Sequence, residues 1–198
     1  MKEIKRTKFN IMLLGESQVG KTSMISYLTS GIYEEIGLLT AGIDCTTVDT
    51  QFEGKKYKFK IFDTAGQERY KSISKSSIKL ADGFLLVFAV DNQESFEKIN
   101  EWIASIQDEV NIAQKIIILV GNKCDITETR QITTENAKDY AIKKKMKYFE
   151  TSAKEGVGIN ETFNELFQDI YNLNKRSTSS NIKLNKKKSK KDQTRTFC

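Results

Sequence analysis

The chain has 198 residues, with 32 Lys or Arg against 26 Asp or Glu, three cysteines and no histidine. That length holds one domain with a sizeable core, while three separated cysteines, Cys45, Cys124 and Cys198, exclude a disulfide framework or a CxxC metal site and fit a reducing, intracellular compartment. Without histidine the usual general base and the commonest zinc ligand are missing, so any chemistry must work by positioning and electrostatics, with carboxylates, amides or a metal ion.

The net charge of +6 is not spread evenly. From Lys175 to Cys198 nine Lys or Arg face a single acid, Asp192, so that segment carries +8 and residues 1–174 carry −2. The basicity belongs to a C-terminal extension. The first residues, Met1 to Arg6, hold no apolar leader and no myristoylation pattern, and no run of about 18 apolar residues occurs anywhere.

Taken in order, the apolar run Phe9 to Leu14 reads as a buried strand and Ser23 to Leu28 as the body of a helix. Between them stands Gly15-Glu16-Ser17-Gln18-Val19-Gly20-Lys21-Thr22, which fits G-x-x-x-x-G-K-S/T, the P-loop pattern, in the strand-to-helix setting that gives the pattern its physical sense. Gly15 and Gly20 allow a turn that aims successive N–H groups at one anion, and the helix adds its positive dipole end. Lys21 supplies charge for the β- and γ-phosphates, and the Thr22 hydroxyl suits a Mg²⁺ bridging them. Four fixed positions match by accident on the order of once in a hundred chains of this length.

Gly31 to Gly42 has no clean periodicity and reads as a mobile loop. Ile43 to Phe52 and Lys56 to Phe62, joined by Glu53-Gly54-Lys55, predict an antiparallel hairpin that ends on Asp63-Thr64-Ala65-Gly66-Gln67-Glu68. Phe84 to Val90 and Ile116 to Val120 are continuous apolar runs, as in parallel strands buried on both faces. Between them Phe96, Ile99, Trp102, Ile103, Ile106 and Val110 recur at helical spacing, with Asn92 or Ser95 as the cap. Gly121-Asn122-Lys123-Cys124-Asp125 follows the second run. A helix over Thr134 to Lys145, a short strand over Lys147 to Glu150 and the turn Thr151-Ser152-Ala153-Lys154 come next, and then a helix with Ile159, Phe163, Leu166, Phe167 and Ile170 on one stripe. The alternation predicts an open, mostly parallel sheet covered on both faces, with ligands at the carboxyl ends of the strands. From Ser177 on, Ser, Asn and Lys dominate and disorder is expected.

Asp63-x-x-Gly66 says little alone, and Asn122-Lys123-x-Asp125 arises by chance in about a few per cent of chains. Together with the P-loop, in this order and each at the end of a buried strand, they mark one site. GESQVGKT, DTAGQE, NKCD and ETSAK resemble the Ras-like small GTPases over roughly Lys8 to Leu173. Within that superfamily Ala41-Gly42-Ile43-Asp44, Lys58 to Phe62, Arg69 to Ser74, and Leu86-Val87-Phe88 with Asp91 and Ser95-Phe96 resemble the Rab family.

The resemblance implies an α/β P-loop NTPase fold with six strands, mostly parallel, and one antiparallel edge strand. It implies a short extension over 1–7, a GTP-binding domain over 8–174 and a hypervariable tail over 175–198. Residues 15–23 (Gly15, Glu16, Ser17, Gln18, Val19, Gly20, Lys21, Thr22, Ser23) would hold the phosphates, with Lys21 also acting in catalysis. Thr22, Thr40 and Asp63 would hold Mg²⁺, Gly66 would sense the γ-phosphate, and Gln67 would orient the attacking water. Asn122 would brace the loops and Lys123 would lie along the base. Asp125 would take the guanine N1–H and N2–H₂, and Ser152, Ala153 and Lys154 would close on the guanine oxygen. The implied activity is slow GTP hydrolysis in a switch for membrane trafficking, with a nucleotide-binding scaffold of little or no turnover as the alternative. An exchange factor, an activating protein, a GDP-dissociation inhibitor or escort protein and effectors are the implied partners, with no nucleic acid.

Two departures stand out. Rab proteins keep an aromatic triad across the two switches and the strand between them, where this chain has Cys45, Phe62 and Ser77. Gln18 fills a P-loop position where a small residue is common, and it would crowd the γ-phosphate or an incoming arginine. At the far end, Cys198 is the candidate prenylation site. With Lys186, Lys187, Lys188, Lys190 and Lys191 it would supply the two signals needed for anchoring on the cytosolic face of an endomembrane or the plasma membrane.

Overall fold

The computed structural model describes residues 6–33, 43–64 and 75–193, with the backbone alone for Ile43 and 177–193. Strands β1 (Lys8–Leu14), β2 (Ile43–Phe52), β3 (Lys55–Thr64), β4 (Gly83–Ala89), β5 (Ile116–Asn122) and β6 (Lys147–Thr151) form one sheet in the order β2-β3-β1-β4-β5-β6. β2 runs antiparallel to β3 at the edge and every other pairing is parallel. The predicted fold class is the observed one.

The continuous apolar runs are buried because both faces are covered. Phe9, Ile11 and Leu13 of β1, Leu85 and Val87 of β4, and Ile118 and Val120 of β5 point to one side. There they meet Met24 and Ile25 of α1 (Lys21–Ser30) and Ile159, Phe163, Leu166, Phe167 and Ile170 of α6 (Ile159–Gln193). Met12, Leu14, Phe84, Leu86, Phe88 and Leu119 point to the other. They pack on Ile78 of α2 (Lys75–Leu80), on Ile99, Trp102, Ile103 and Ile106 of α4 (Ile99–Glu109), and on Ala137 and Ala141 of α5 (Thr134–Lys143). Each large side chain so buried contributes about 1.5–3 kcal/mol.

The connections out of neighbouring strands β1 and β4 therefore leave toward opposite faces. That divergence opens a crevice beyond their carboxyl ends, where an open α/β sheet takes its ligand.

One helix departs from expectation for a local reason. The helix expected from Asn92 to Val110 is divided into α3 (Gln93–Glu97) and α4, meeting at Lys98. Asn92 is the cap, its Oδ1 accepting from Ser95 N at 2.9 Å, and Ser95 Oγ turns inward to accept from Ala89 N. α1 begins at Lys21, as expected, so the lysine of the P-loop belongs to its first turn. The helical backbone of α6 runs on to Gln193, through residues where the sequence predicts disorder.

Candidate functional site

Three loops and the end of β3 meet at the carboxyl edge of the sheet. The first, residues 15–20, doubles back tightly over β4. A Cβ on Gly15, where φ is 153°, would stand 2.0 Å from the carbonyl oxygen of Val87. Gly20, at φ 95°, has Asn122 Nδ2 2.2 Å from where its Cβ would lie. Lys21 is buried, and its Nζ donates to the carbonyls of Gly15 (2.8 Å) and Glu16 (2.9 Å), so the ammonium is held under the loop it must serve.

Gln18 has no such glycine freedom. It stands exposed at φ 61° in the left-handed region, which costs a side-chain-bearing residue about 1–2 kcal/mol. Gln18→Val, which puts a β-branched residue there, is expected to lower unfolding stability by about a further 1 kcal/mol. Gln18→Gly should instead match or slightly exceed the parent protein, since relief of strain outweighs the added chain entropy. Urea midpoints of the three proteins at one nucleotide concentration check this.

Asp63, near the end of β3, is buried. Its Oδ2 accepts from Thr22 Oγ1 at 2.5 Å, and among the described residues its Oδ1 has no hydrogen-bond partner. Burial raises its pKa above the ordinary carboxylate value, against the pull of Thr22 and Lys21. An orphaned carboxylate oxygen beside a hydroxyl fits a hard cation that takes one or two carboxylates and completes its shell with phosphate and water, as Mg²⁺ does. No cluster of three His, Cys, Asp or Glu occurs among the described residues.

Asn122, at the end of β5 and 1% exposed, joins two of the loops. Its Nδ2 donates to Val19 O (2.8 Å) and its Oδ1 accepts from Thr151 Oγ1 (2.9 Å). Cys124 N donates to Thr151 O at 3.0 Å, tying the loop that carries Asp125 to the turn that carries Ala153. Lys123, at φ 64°, reaches back to Asp91 with Nζ 3.9 Å from Oδ2. Asp125 is half-buried, Ser152 and Ala153 are buried, and Lys154 is exposed. Ser152 is fixed by its N–H to Val157 O (2.9 Å) and by its Oγ, which accepts from Glu155 N (3.0 Å). Thr40, Gly66, Gln67 and Cys198 lie outside the described residues, as does most of the loop expected over 31–42.

Two supports escaped the sequence. Thr151 was visible only as part of a turn, because its partner is 29 residues away. Arg130 carried no signal at all, yet it pairs with Glu150, which also accepts from Thr134 Oγ1 (2.7 Å) and Tyr148 Oη (2.8 Å). This network fixes β6 just before Thr151. Burial works against the Glu150 charge, but the bonds from Arg130, Thr134 and Tyr148 hold its carboxyl below the usual carboxylate range, and burial, with the bond to Glu150, pushes the Tyr148 hydroxyl up.

Burial lowers the Lys21 pKa to about 8, partly offset by Asp63 and Glu16. In the unfolded chain the group binds its proton more tightly, so between about pH 8 and 10 this lysine makes the nucleotide-free fold more stable as pH rises. A polyphosphate bound beside it, as the P-loop pattern implies, would favour the cation, and binding would then take up a proton in that window. Nucleotide affinity is therefore expected to fall as pH rises above about 8, by at most tenfold per unit. Titration calorimetry in buffers of different ionisation enthalpy reads the proton uptake directly.

The Ras family model matches residues 10–172. The chain is 36% identical over 162 residues to "Ras-related protein Rab-13" of Rattus norvegicus, covering 82% of this chain and 79% of that protein. It is 35% identical over 191 residues to "Ras-related protein Rab-8B" of Homo sapiens, covering 92% of each. With "Ras-related protein Rab-8" of Diplobatis ommata it shares 35% over 175 residues, 88% of this chain and 83% of the relative.

Proposed function

Because the chain belongs to the Ras family of small GTPases and is most like its Rab members, we propose that it is a GTP/GDP switch. In this reading it recruits effectors to a cytosolic membrane surface and takes part in vesicle traffic. GTP hydrolysis is the activity of the family. The observation that carries the switch reading is the Asn122 side chain, bonded at once to the phosphate loop and to the 151–154 turn. Through it the base-selecting loop and the phosphate loop are parts of one rigid cradle.

In that cradle the N–H groups of residues 15–20 and Lys21 Nζ bind the phosphates, and Lys21 exchanges its two carbonyl partners for phosphate oxygens. Asp125 accepts from the guanine edge, Ala153 and Lys154 donate to its oxygen through backbone N–H groups, and Lys123 covers the base. Thr22 and Thr40, with Asp63, are the residues that would hold Mg²⁺, which when bound supplies positive charge to the phosphate oxygens. Thr40 and Gly66 can engage only when a γ-phosphate is present, so hydrolysis releases both segments. Gln67 positions the water. With no histidine in the chain and no arginine among the residues assigned to the site, turnover is slow until a partner contributes one.

Among the described residues no helix is long and apolar enough to cross a membrane. Attachment is assigned to prenylated Cys198 together with the lysines at 186–188, 190 and 191, and mass spectrometry of the protein from its own cell tests the lipid. Single-turnover hydrolysis tests the switch. Gln67→Leu is expected to slow the γ-phosphate cleavage of this GTPase by about tenfold or more while leaving GTP affinity within about twofold, since only transition-state positioning is lost. Equal rates would remove Gln67 from the mechanism and leave a nucleotide-binding scaffold as the better description.

A further inference from the structure

On β3 the buried Tyr57, Phe59 and Ile61 alternate with the exposed Lys56, Lys58 and Lys60. Register sets Gln51, Asp49 and Thr47 of β2 opposite these three lysines, and Lys8 of β1 beside Lys58. Residues side by side in a sheet share a face. One solvent-facing stretch thus carries four lysines and one acid. Asp49 is already engaged by Lys58, with Nζ 3.0 and 3.1 Å from its two oxygens. Among the described residues the ammonium groups of Lys8, Lys56 and Lys60 have no hydrogen-bond or ion-pair partner.

Lysines often guard the outermost strand of a sheet against pairing with another chain. These do not. They lie on the inner strands β1 and β3, and the edge strand β2 contains no lysine. Like charges set side by side on one face cost stability, so the fold carries a repulsion that an anion on this face would remove.

We propose that the face of Lys8, Lys56, Lys58 and Lys60 docks an acidic protein segment bearing carboxylates at alternate positions of an extended chain. Alternate residues of β3 are about 6.6–6.8 Å apart, which is the pitch of alternate carboxylates on a neighbouring extended segment. The face continues through Cys45 and Phe62, which are register partners. An anionic bilayer is the less suited occupant: α6, which leads into the basic tail, packs on the opposite face of the sheet. The inference goes beyond the switch and does not depend on which nucleotide is bound.

Fluorescence anisotropy of a labelled (Glu-Thr)₆ peptide against the GDP-loaded full chain tests it, with (Lys-Thr)₆ as control. The triple variant Lys8→Gln, Lys56→Gln, Lys60→Gln should bind at least tenfold more weakly. Lys186→Gln, Lys187→Gln, Lys188→Gln in the tail should change affinity less than threefold. Asp49→Asn frees Lys58 and should tighten binding two- to threefold, a gain that misfolding cannot imitate. The proposal is overturned if the tail variant takes the loss, if Asp49→Asn gains nothing, or if the face variant loses only binding to vesicles with 30% phosphatidylserine. GDP retention measured on the same samples reports separately on the nucleotide site.

Discussion

Asp125→Asn is expected to weaken GTP and GDP binding by about 3–6 kcal/mol, two to four orders of magnitude, with no compensating gain for ATP. Guanine offers two donors on one edge, N1–H and N2–H₂, and a carboxylate accepts both in charge-assisted bonds of about 1.5–3 kcal/mol each. An amide offers one acceptor and one donor, so a donor is set against a donor. The loop itself should survive, because its shape is held by backbone bonds the substitution does not touch: Cys124 N to Thr151 O and Ile126 N to Lys123 O, both 3.0 Å. A base with a carbonyl in place of the exocyclic amine restores the match, and xanthosine diphosphate should recover most of the lost affinity. Dissociation rates of labelled GDP, ADP and xanthosine diphosphate from both proteins measure this. Equal losses for all three would mean a collapsed loop instead of a changed selector.

That contrast explains how far the sequence could be followed. The buried strands announced themselves because both faces are covered, which leaves uninterrupted apolar runs such as Phe84 to Val90 and Ile116 to Val120, and the stripe of α6 marked its packed face. Fixed spacings also exposed the phosphate loop, since Gly15 and Gly20 stand where a Cβ would collide with Val87 O and Asn122 Nδ2. What spacing cannot carry is a bond between side chains far apart in the chain. Asn122 to Val19 spans 103 residues, and Arg130 to Glu150 joins two residues of ordinary type.

Removing the brace should be nearly as costly as removing the selector. Asn122→Ala leaves Val19 O and Thr151 Oγ1 buried without their partner, at about 1–3 kcal/mol each, so a loss near 4 kcal/mol is expected in both unfolding stability and GDP retention. Gly20→Ala attacks the same joint from the other side. Its Cβ would lie 2.2 Å from an Nδ2 that is pinned to Val19 O, so either the loop or the amide must move. In Asn122→Ala that obstruction is gone, and the added alanine bears only the strain of φ 95°, about 1–2 kcal/mol. The double variant should therefore lose less than the two single losses combined, by about 1–2 kcal/mol in a cycle of urea midpoints. Additivity within about 0.5 kcal/mol would show that Asn122 and the phosphate loop are energetically independent. The phosphate loop would then be positioned against loops 121–125 and 151–154 only by the parallel pairing of the strands that carry them.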